Sequence, residues 1–334
     1  MFSKENLNQL FDAFSKLKVI VVGDIMLDAY VWGKVDRISP EAPVPIVAIQ
    51  KRMNRMGGAA NVALNLRSLG AEPIICSVIG DDQTGEDLLT VINNESLNSK
   101  GIIKSKDRIT TTKFRIFGNK TQMLRLDEEV TYDLNGHEEK KLVDLIHNLL
   151  DTQRIDAIIF QDYNKGNLSK SVITKIIELA NRFKIVTAAD PKNKNFFEFK
   201  NVSLFKPNLK ELQEGLGFTL DEISKENLLN LTNKLNETLK AKMVMTTLSE
   251  HGAFICEKGQ DPILVPAHKR PITDVSGAGD TVIGVATLCL ALQLSALQIV
   301  SLSNLAGGIV CEEVGVVPIN KAKFLEEAIN KLTI

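Results

Sequence analysis

Residues 274–285, DVSGAGDTVIGV, place a carboxylate directly after a Gly-Ala-Gly turn and ahead of an apolar run. Glycines that open a helix expose N–H groups without intrahelical partners, and such groups hold anions. Gly277, Ala278 and Gly279 would form that anion hole at the start of a helix from about Asp280 to Leu292, and their small size admits a substrate closely. Beside it, Asp280 would be kept ionised by the helix dipole. An ionised carboxylate there can take a proton from a hydroxyl while the N–H groups hold the oxygens of a phosphoryl group in transfer. Taken alone, GAGD fits equally well an aspartate that caps a helix.

A second cluster near the other end of the chain, RMGGAANVALNLRSLGA (55–71), repeats the pattern: Gly57 and Gly58, then Asn61, then a helix. Two helix N-termini in one sheet suit a substrate and a phosphate. There is no GxxxxGK[ST], and no GxGxxG opens a helix after the first strand, so neither a P-loop nor a dinucleotide fingerprint accounts for the glycines. His137, His147, His251 and His268 lack ligand spacing, which argues against a histidine metal site. Cys76, Cys256, Cys289 and Cys311 sit in apolar surroundings without a CxxC pair and read as reduced core thiols.

The elements that must position these residues follow from apolar periodicity. KVIVVGD (18–24), PIICSVIG (73–80), DAIIFQDY (156–163), IVTAAD (185–190), VSLFKPN (202–208) and KMVMTT (242–247) have the continuous apolar character of strands covered on both faces. Segments 61–70, 137–150, 169–183 and 225–240 repeat apolar residues at three and four and read as helices. The alternation predicts an α/β protein with a mostly parallel central sheet and helices on both faces, and ligands then sit outside the carboxyl ends of the strands. Asp28, Asn61, Asp162 and Asp280 fall at predicted strand ends or helix starts, where they can converge on one cleft. Residues 30–37 with 44–52, and 110–118 with 120–127, break the rhythm as extended pairs with polar residues interleaved, the second joined at Gly118-Asn119. They read as a small inserted sheet, a lid or a dimer surface, with ordinary edge hairpins as the alternative.

The chain has 334 residues, 44% hydrophobic and 24% charged, enough for a large core. With 40 basic against 41 acidic residues, the balance gives no electrostatic argument for nucleic acid or an anionic membrane. The amphipathic N-terminus lacks the apolar core of a signal peptide, and the apolar stretch Val282 to Leu292 is too short to span a bilayer, so a cytoplasmic protein is expected.

MGGAANVALNLRSLGA and DVSGAGDTVIGV resemble the two signatures of the ribokinase-like (PfkB) sugar kinases, and the resemblance runs over nearly the whole chain. It implies a single ribokinase-like kinase domain over 1–334, with lid segments at about 30–52 and 110–127. KPNLKE (206–211) resembles the family's Asn-x-x-Glu motif, which implies a role for Asn208 and Glu211 around Mg²⁺, through water, and the ATP phosphates. TTLSEHG (246–252) resembles its nucleotide-site strand and turn. The resemblance thus implies an ATP site with Lys192, Thr247, Ser249, Gly252, Gly277, Gly279, Asn304 and Gly308, and a monovalent cation near Asp274.

Within that family, RISPEAPVP (37–45) is similar to the D-glycero-D-manno-heptose-7-phosphate kinases, which also have counterparts to QDYNKG (161–166) and ADPKN (189–193). This implies phosphorylation of the anomeric O1 of a heptose 7-phosphate on the way to ADP-heptose for lipopolysaccharide. A separate adenylyltransferase is expected for that route, because this chain looks like the kinase alone, and a homodimer through the lid is expected. A phosphorylated sugar needs cations, and Arg37, Lys113, Arg115, Arg125 and Lys165 are the candidates. The sequence departs from the better-known heptose kinases at Glu313 and Val316, where Lys and Thr are expected, and has Ser276 for the usual Thr. Another kinase of the family, acting on ribose, a ketodeoxy sugar acid or a nucleoside, and a non-catalytic sugar- or nucleotide-binding relative are the alternatives; retention of Asp280 argues against the last.

Overall fold

The computed structural model describes residues 2–220 and 222–333. In chain order the first half runs α1 (Lys4–Phe14), β1 (Lys18–Gly23), β2 (Ile25–Ile38), β3 (Pro45–Gly58), α2 (Ala59–Ser68), β4 (Glu72–Gly80), α3 (Gln83–Asn94), β5 (Ile102–Ser105), β6 (Thr112–Gly118), β7 (Thr121–Glu128) and α4 (Gly136–Thr152). The second half runs β8 (Ala157–Gln161), α5 (Lys170–Arg182), β9 (Val186–Asp190), β10 (Leu204–Phe205), α6 (Leu209–Leu216), α7 (Lys225–Leu239), β11 (Met243–Thr247), β12 (Ala253–Glu257), β13 (Ile263–Val265), α8 (Ala278–Ala291), α9 (Ala296–Val310) and α10 (Lys321–Leu332).

Nine strands form the central sheet in the order β13-β12-β11-β10-β9-β8-β1-β4-β5. From β11 through β5 the pairs are parallel, and β12 and β13 close one edge antiparallel. The continuous apolar runs have a direct cause in this arrangement. On β1, Val19 and Val21 enter the core under α1, α2, α8, α9 and α10, while Ile20 and Val22 enter the core under α4, α5, α6 and α7. Because side chains alternate along a strand, a strand covered on both faces must be apolar at every position. All four cysteines are buried and unpaired, and burial pushes the Cys76 thiol up to about 12.

The second sheet, ordered β3-β2-β6-β7, is separate from the first. Its first two strands are longer than the sequence pattern indicates, while β6 and β7 keep close to it: only Asp24 separates β2 from β1, and β3 runs directly into α2. The polar interleaving fades at both roots because Ile25, Met26, Leu27 and Met56 are buried against the body. The β6–β7 turn also differs from expectation. Gly118 pairs with Thr121, and the turn is Asn119-Lys120, with φ of 51° and 69°. Both residues adopt the left-handed conformation that a two-residue hairpin turn of matching twist demands.

The parallel pairing of β1 with β8 beside the lid root depends on one glycine. Gly23 has φ of 151°, and a Cβ there would lie 2.0 Å from the Gln161 carbonyl oxygen. Gly23→Ala is expected to cost about 1–3 kcal/mol from backbone strain alone, with the clash on top. A lowered denaturation midpoint checks this; an unchanged midpoint would show that the two strands can part.

Candidate active site

The α8 helix begins at Ala278, two residues ahead of the expected start, with Gly277 as N-cap at φ 81° and no side chain capping it. Its first intrahelical bond is Thr281 N–H to Gly277 O at 3.1 Å, so the N–H groups of Gly279 and Asp280 come before the ladder starts. Ala278 N–H is spent on Val275 O at 3.3 Å. Asp280 therefore does not act as the helix cap. Its Oδ2 accepts from Asn61 Nδ2 at 2.7 Å, and its Oδ1 accepts from Gln161 Nε2 at 3.1 Å and from the Tyr163 hydroxyl at 2.8 Å.

The helix dipole does not govern this carboxyl alone. Burial pushes Asp280 up to about 6; Asp190 adds to the rise, while Asn61, Tyr163 and Lys206 hold it down. A base with that value is ionised at neutral pH yet accepts a proton readily. Asn61 Oδ1 and Gln161 Oε1 are buried without partners among the described residues. They are acceptors beside the base that a polyhydroxylated ligand has the donors to fill.

Positive charge gathers on the other side of Asp280. Lys206 and Asp190 form a buried ion pair at 3.0 Å. A Cβ on Gly279 would lie 3.9 Å from Asp190 Oδ2 and Lys206 Nζ, in ordinary contact with both, so the glycine backbone sits close beside that ammonium. Lys192 bonds Glu211; burial pulls its pKa down, but Asp190 and Glu211 together raise it. Asn208 and Glu211 form the capping box of α6, Glu211 N–H donating to Asn208 Oδ1 at 2.8 Å and Asn208 N–H to Glu211 Oε2 at 2.9 Å. One Glu211 oxygen thus serves the cap and the other Lys192.

The remaining residues of the expected nucleotide site line up along the strand ends and α9. Thr247 bridges to Asn208, Ser249 is exposed at φ 54°, and Gly252 turns at φ 95°. Asn304 Nδ2 donates to Pro266 O at 2.9 Å, and Gly308 lies under the Arg270 guanidinium, where a Cβ would be 2.8 Å from Nε. Asp274 accepts from Ser276 N–H at 2.9 Å and Gly315 N–H at 3.0 Å, which ties the glycine turn to the loop after α9. In that loop Glu313 is exposed, and Val316 would lie 3.2 Å from a Cβ on Gly277.

On the lid side, Asp28 pairs with Arg115, and a Cβ on Gly57 would strike Asp28 Oδ2 at 2.5 Å. Gly58, at φ 63°, turns β3 into α2. Register sets Asp28 opposite Lys113 on β6, Lys113 opposite Asp127, and Arg115 opposite Arg125 on β7. Arg125 is held by Asp127 at 2.8 and 2.6 Å, and Lys165 by Glu129 at 2.7 Å. Lys113 has no carboxylate bond among the described residues; its ammonium stands 5.5 Å from the Tyr163 ring centroid. Burial lowers its pKa; the Asp28 charge opposes this, and Arg125 and Lys165 add to the lowering. Arg37 is exposed toward the distal end of β2, opposite Ile46, and is not brought to this cluster.

Asp162 also stays out of the cleft. It accepts from Asn164 N–H at 2.8 Å and Asn195 Nδ2 at 3.3 Å, and burial beside Asp24 pushes it up to about 7. Its neighbours Gln161 and Tyr163 reach Asp280 instead. Those two, with Asp190 and Lys206, lie within QDYNKG, ADPKN and KPNLKE but have no role of their own in the motif reading, although each falls at or within two residues of the carboxyl end of a parallel strand, where ligands gather. A recess of about 360 Å³ lined by Val186, Lys242, Glu257 and Ser295 lies at the opposite, amino ends of β9 and β11.

The solved structure of phosphofructokinase-2 from Escherichia coli in complex with potassium is similar to this fold, with a TM-score of 0.78 over 95% of this chain and 99% of that one at 20% identity. Arabidopsis thaliana ribokinase complexed with ribose and ATP is similar with a TM-score of 0.70, over 93% and 98% at 14% identity. The fold is ribokinase-like. Residues 16–322 match the model of the pfkB family of carbohydrate kinases, and the chain belongs to that family. That family consists of carbohydrate kinases, phosphotransferases acting on a sugar hydroxyl, and implies ATP as donor and generally Mg²⁺. Two curated relatives are called bifunctional protein HldE: one from Helicobacter pylori (strain HPAG1), 39% identical over 89% of this chain, and one from Desulfatibacillum aliphaticivorans, 35% identical over 93%. The chain spans 63% of the length of each.

Proposed function

We propose that the chain transfers the γ-phosphoryl group of ATP to the anomeric O1 of D-glycero-D-manno-heptose 7-phosphate, giving the 1,7-bisphosphate. The observation that carries the reading is the carboxylate of Asp280, buried at the N-terminus of α8 among the donors Asn61, Gln161 and Tyr163, with the Lys206–Asp190 and Lys192–Glu211 pairs nearby. The RISPEAPVP segment and the HldE relatives support the choice of sugar. Asn61 and Gln161 orient the carboxylate, their free amide oxygens accept from sugar hydroxyls, and Asp280 takes the proton of O1 as it attacks. The N–H groups of Gly279 and Asp280, with Lys206 and Lys192, hold the phosphoryl oxygens. Lys113, Arg115, Arg125 and Lys165 face the sugar phosphate, with the β2–β3 and β6–β7 pairs acting as a lid on one catalytic unit.

The residues fit the family's nucleotide: the N–H groups of Gly279 and Asp280 precede the α8 ladder, and a Cβ on Gly279 would reach within 3.9 Å of the Lys206 ammonium. Mg²⁺, when bound, neutralises phosphate charge, and Asn208 and Glu211 would hold it through water, since both Glu211 oxygens already have protein partners. A monovalent cation is assigned near Asp274. Exposed Met123, Leu124 and Leu126 on β7 suit a lid-to-lid homodimer. Among the described residues no helix is long and apolar enough to cross a membrane, which fits a cytoplasmic enzyme working ahead of a separate adenylyltransferase activity.

An ATP-consumption screen across free and phosphorylated sugars tests the reading. Heptose 7-phosphate should be turned over best, with phosphate on O1; ribose or a ketodeoxy sugar acid preferred, with no product from heptose 7-phosphate, would overturn the heptose assignment. Glu211→Gln should raise the Mg²⁺ concentration needed for half-maximal rate, because the variant loses charge near the metal and loosens Lys192. An unchanged Mg²⁺ titration would take Glu211 out of the metal site.

A further inference from the structure

Three donors converge on the Asp280 carboxylate, and they are not alike. Asn61 is fixed on α2 and Gln161 in the ladder of β8, both almost fully buried. Tyr163 lies in the loop after β8 and is only half-buried. Its backbone is anchored: the N–H groups of Tyr163, Lys165 and Asn167 donate to the buried Asp24 carboxylate at 2.9, 3.0 and 3.1 Å. Its side chain also meets Gln161, with the Lys113 ammonium 5.5 Å and the Lys192 ammonium 5.8 Å from the ring centroid. One lysine belongs to the lid and the other to the strand ends around Asp280. The phenol hydroxyl, 2.8 Å from Asp280 Oδ1, holds a position on the base that another hydroxyl could take, and of the three donors it alone is carried by a loop and not by a helix or strand.

That place is a hazard for any enzyme of this kind. A base beside an anion hole activates whichever O–H group sits there, water included. With water in the seat, its oxygen would bond to the γ-phosphorus while the bond from phosphorus to the bridging oxygen breaks. ADP would leave with that electron pair, Asp280 would hold the water proton, and the product would be inorganic phosphate. We propose that Tyr163 is a positioning residue that keeps this seat on Asp280 closed to water until a sugar hydroxyl displaces its phenol. Burial and the adjoining Asp280 charge raise the phenol's pKa well above its ordinary value, so it stays a donor throughout the working pH range.

The inference rests on the phosphotransferase reading but not on the identity of the sugar. Tyr163→Phe keeps the ring between the two lysines and removes only the hydroxyl. ATP hydrolysis without sugar should rise by about tenfold or more in Y163F, while the ratio of phosphoryl transfer to hydrolysis falls by at least as much. A second readout needs no nucleotide: the Asp280 carboxyl, followed by ¹³C NMR, should titrate at higher pH in the variant, since a donor to its ionised form has gone. A role in packing alone would depress transfer and hydrolysis together. Hydrolysis in Y163F no faster than in the wild type overturns the proposal, as does an unmoved Asp280 titration. Sugar-dependent ADP release by the wild type, measured in the same assay, reports separately on the phosphotransferase reading.

Discussion

Asp280→Asn should lower kcat by roughly 10²–10⁴-fold, the usual worth of a positioned general base, with KM for sugar and nucleotide near wild type. The change is isosteric, so the seat keeps its shape while the proton acceptor is lost. The pH profile carries the same information. With its carboxyl pushed up to about 6, the wild type should gain rate as pH rises through 6 and level off at neutrality, and the variant's residual rate should lack that step. Stability should respond in the opposite sense. A carboxyl raised from 3.8 to about 6 on folding gives stability that is fully present below pH 3.8 and lost as pH rises through 6. At pH 7 the buried charge is therefore a cost, and a neutral Asn should leave the melting temperature undiminished. Steady-state kinetics and calorimetry check the pair; turnover near wild type would leave Asp280 a structural residue.

The inner strands β1, β4, β8, β9, β10 and β11 were legible because each is buried on both faces, and only an uninterrupted apolar run satisfies that; β5 and β13, partly exposed, have no such run. The lid showed itself by its interleaved polar residues, but its roots did not: Ile25 to Leu27 and Met56 are as apolar as the body they pack on. In the site, Asp280 and Asn61 stood out because glycines flank them. Gln161 and Tyr163 did not, since nothing local marks a strand-end glutamine or tyrosine as a partner for a carboxylate more than a hundred positions away. The rule that ligands collect at the carboxyl ends of parallel strands points at both, yet it equally admits Asp162, which turns out to bond its own loop. Charge was the least legible feature. Five cations looked equivalent along the chain, and only register and distance show that Arg115, Arg125 and Lys165 are matched by Asp28, Asp127 and Glu129 while Lys113 is not.

That difference makes Lys113 the cation whose removal reads most cleanly. Truncating Arg115 would strand the buried Asp28 carboxylate, and truncating Lys165 would release Glu129, so either loss mixes substrate binding with an uncompensated charge. Lys113 leaves no such orphan. A sugar phosphate held by two charge-assisted hydrogen bonds gains about 3–6 kcal/mol, at about 1.5–3 kcal/mol each. Heptose 7-phosphate should therefore exceed unphosphorylated heptose in kcat/KM by roughly 10²–10⁴-fold, taking about 1.4 kcal/mol per factor of ten. Lys113→Met should cost roughly 10–10²-fold on the phosphorylated sugar, one bond's share, and leave ATP affinity nearly unchanged. The decisive comparison crosses the two changes. If Lys113 grips the phosphate, the variant's penalty should vanish on unphosphorylated heptose, because the group it would have held is already gone. A penalty of equal size on both sugars would mean that Lys113 acts through the Tyr163 ring or the lid's own packing, and the phosphate would then have to be held elsewhere, with Arg115 freed from Asp28 as the next residue to test.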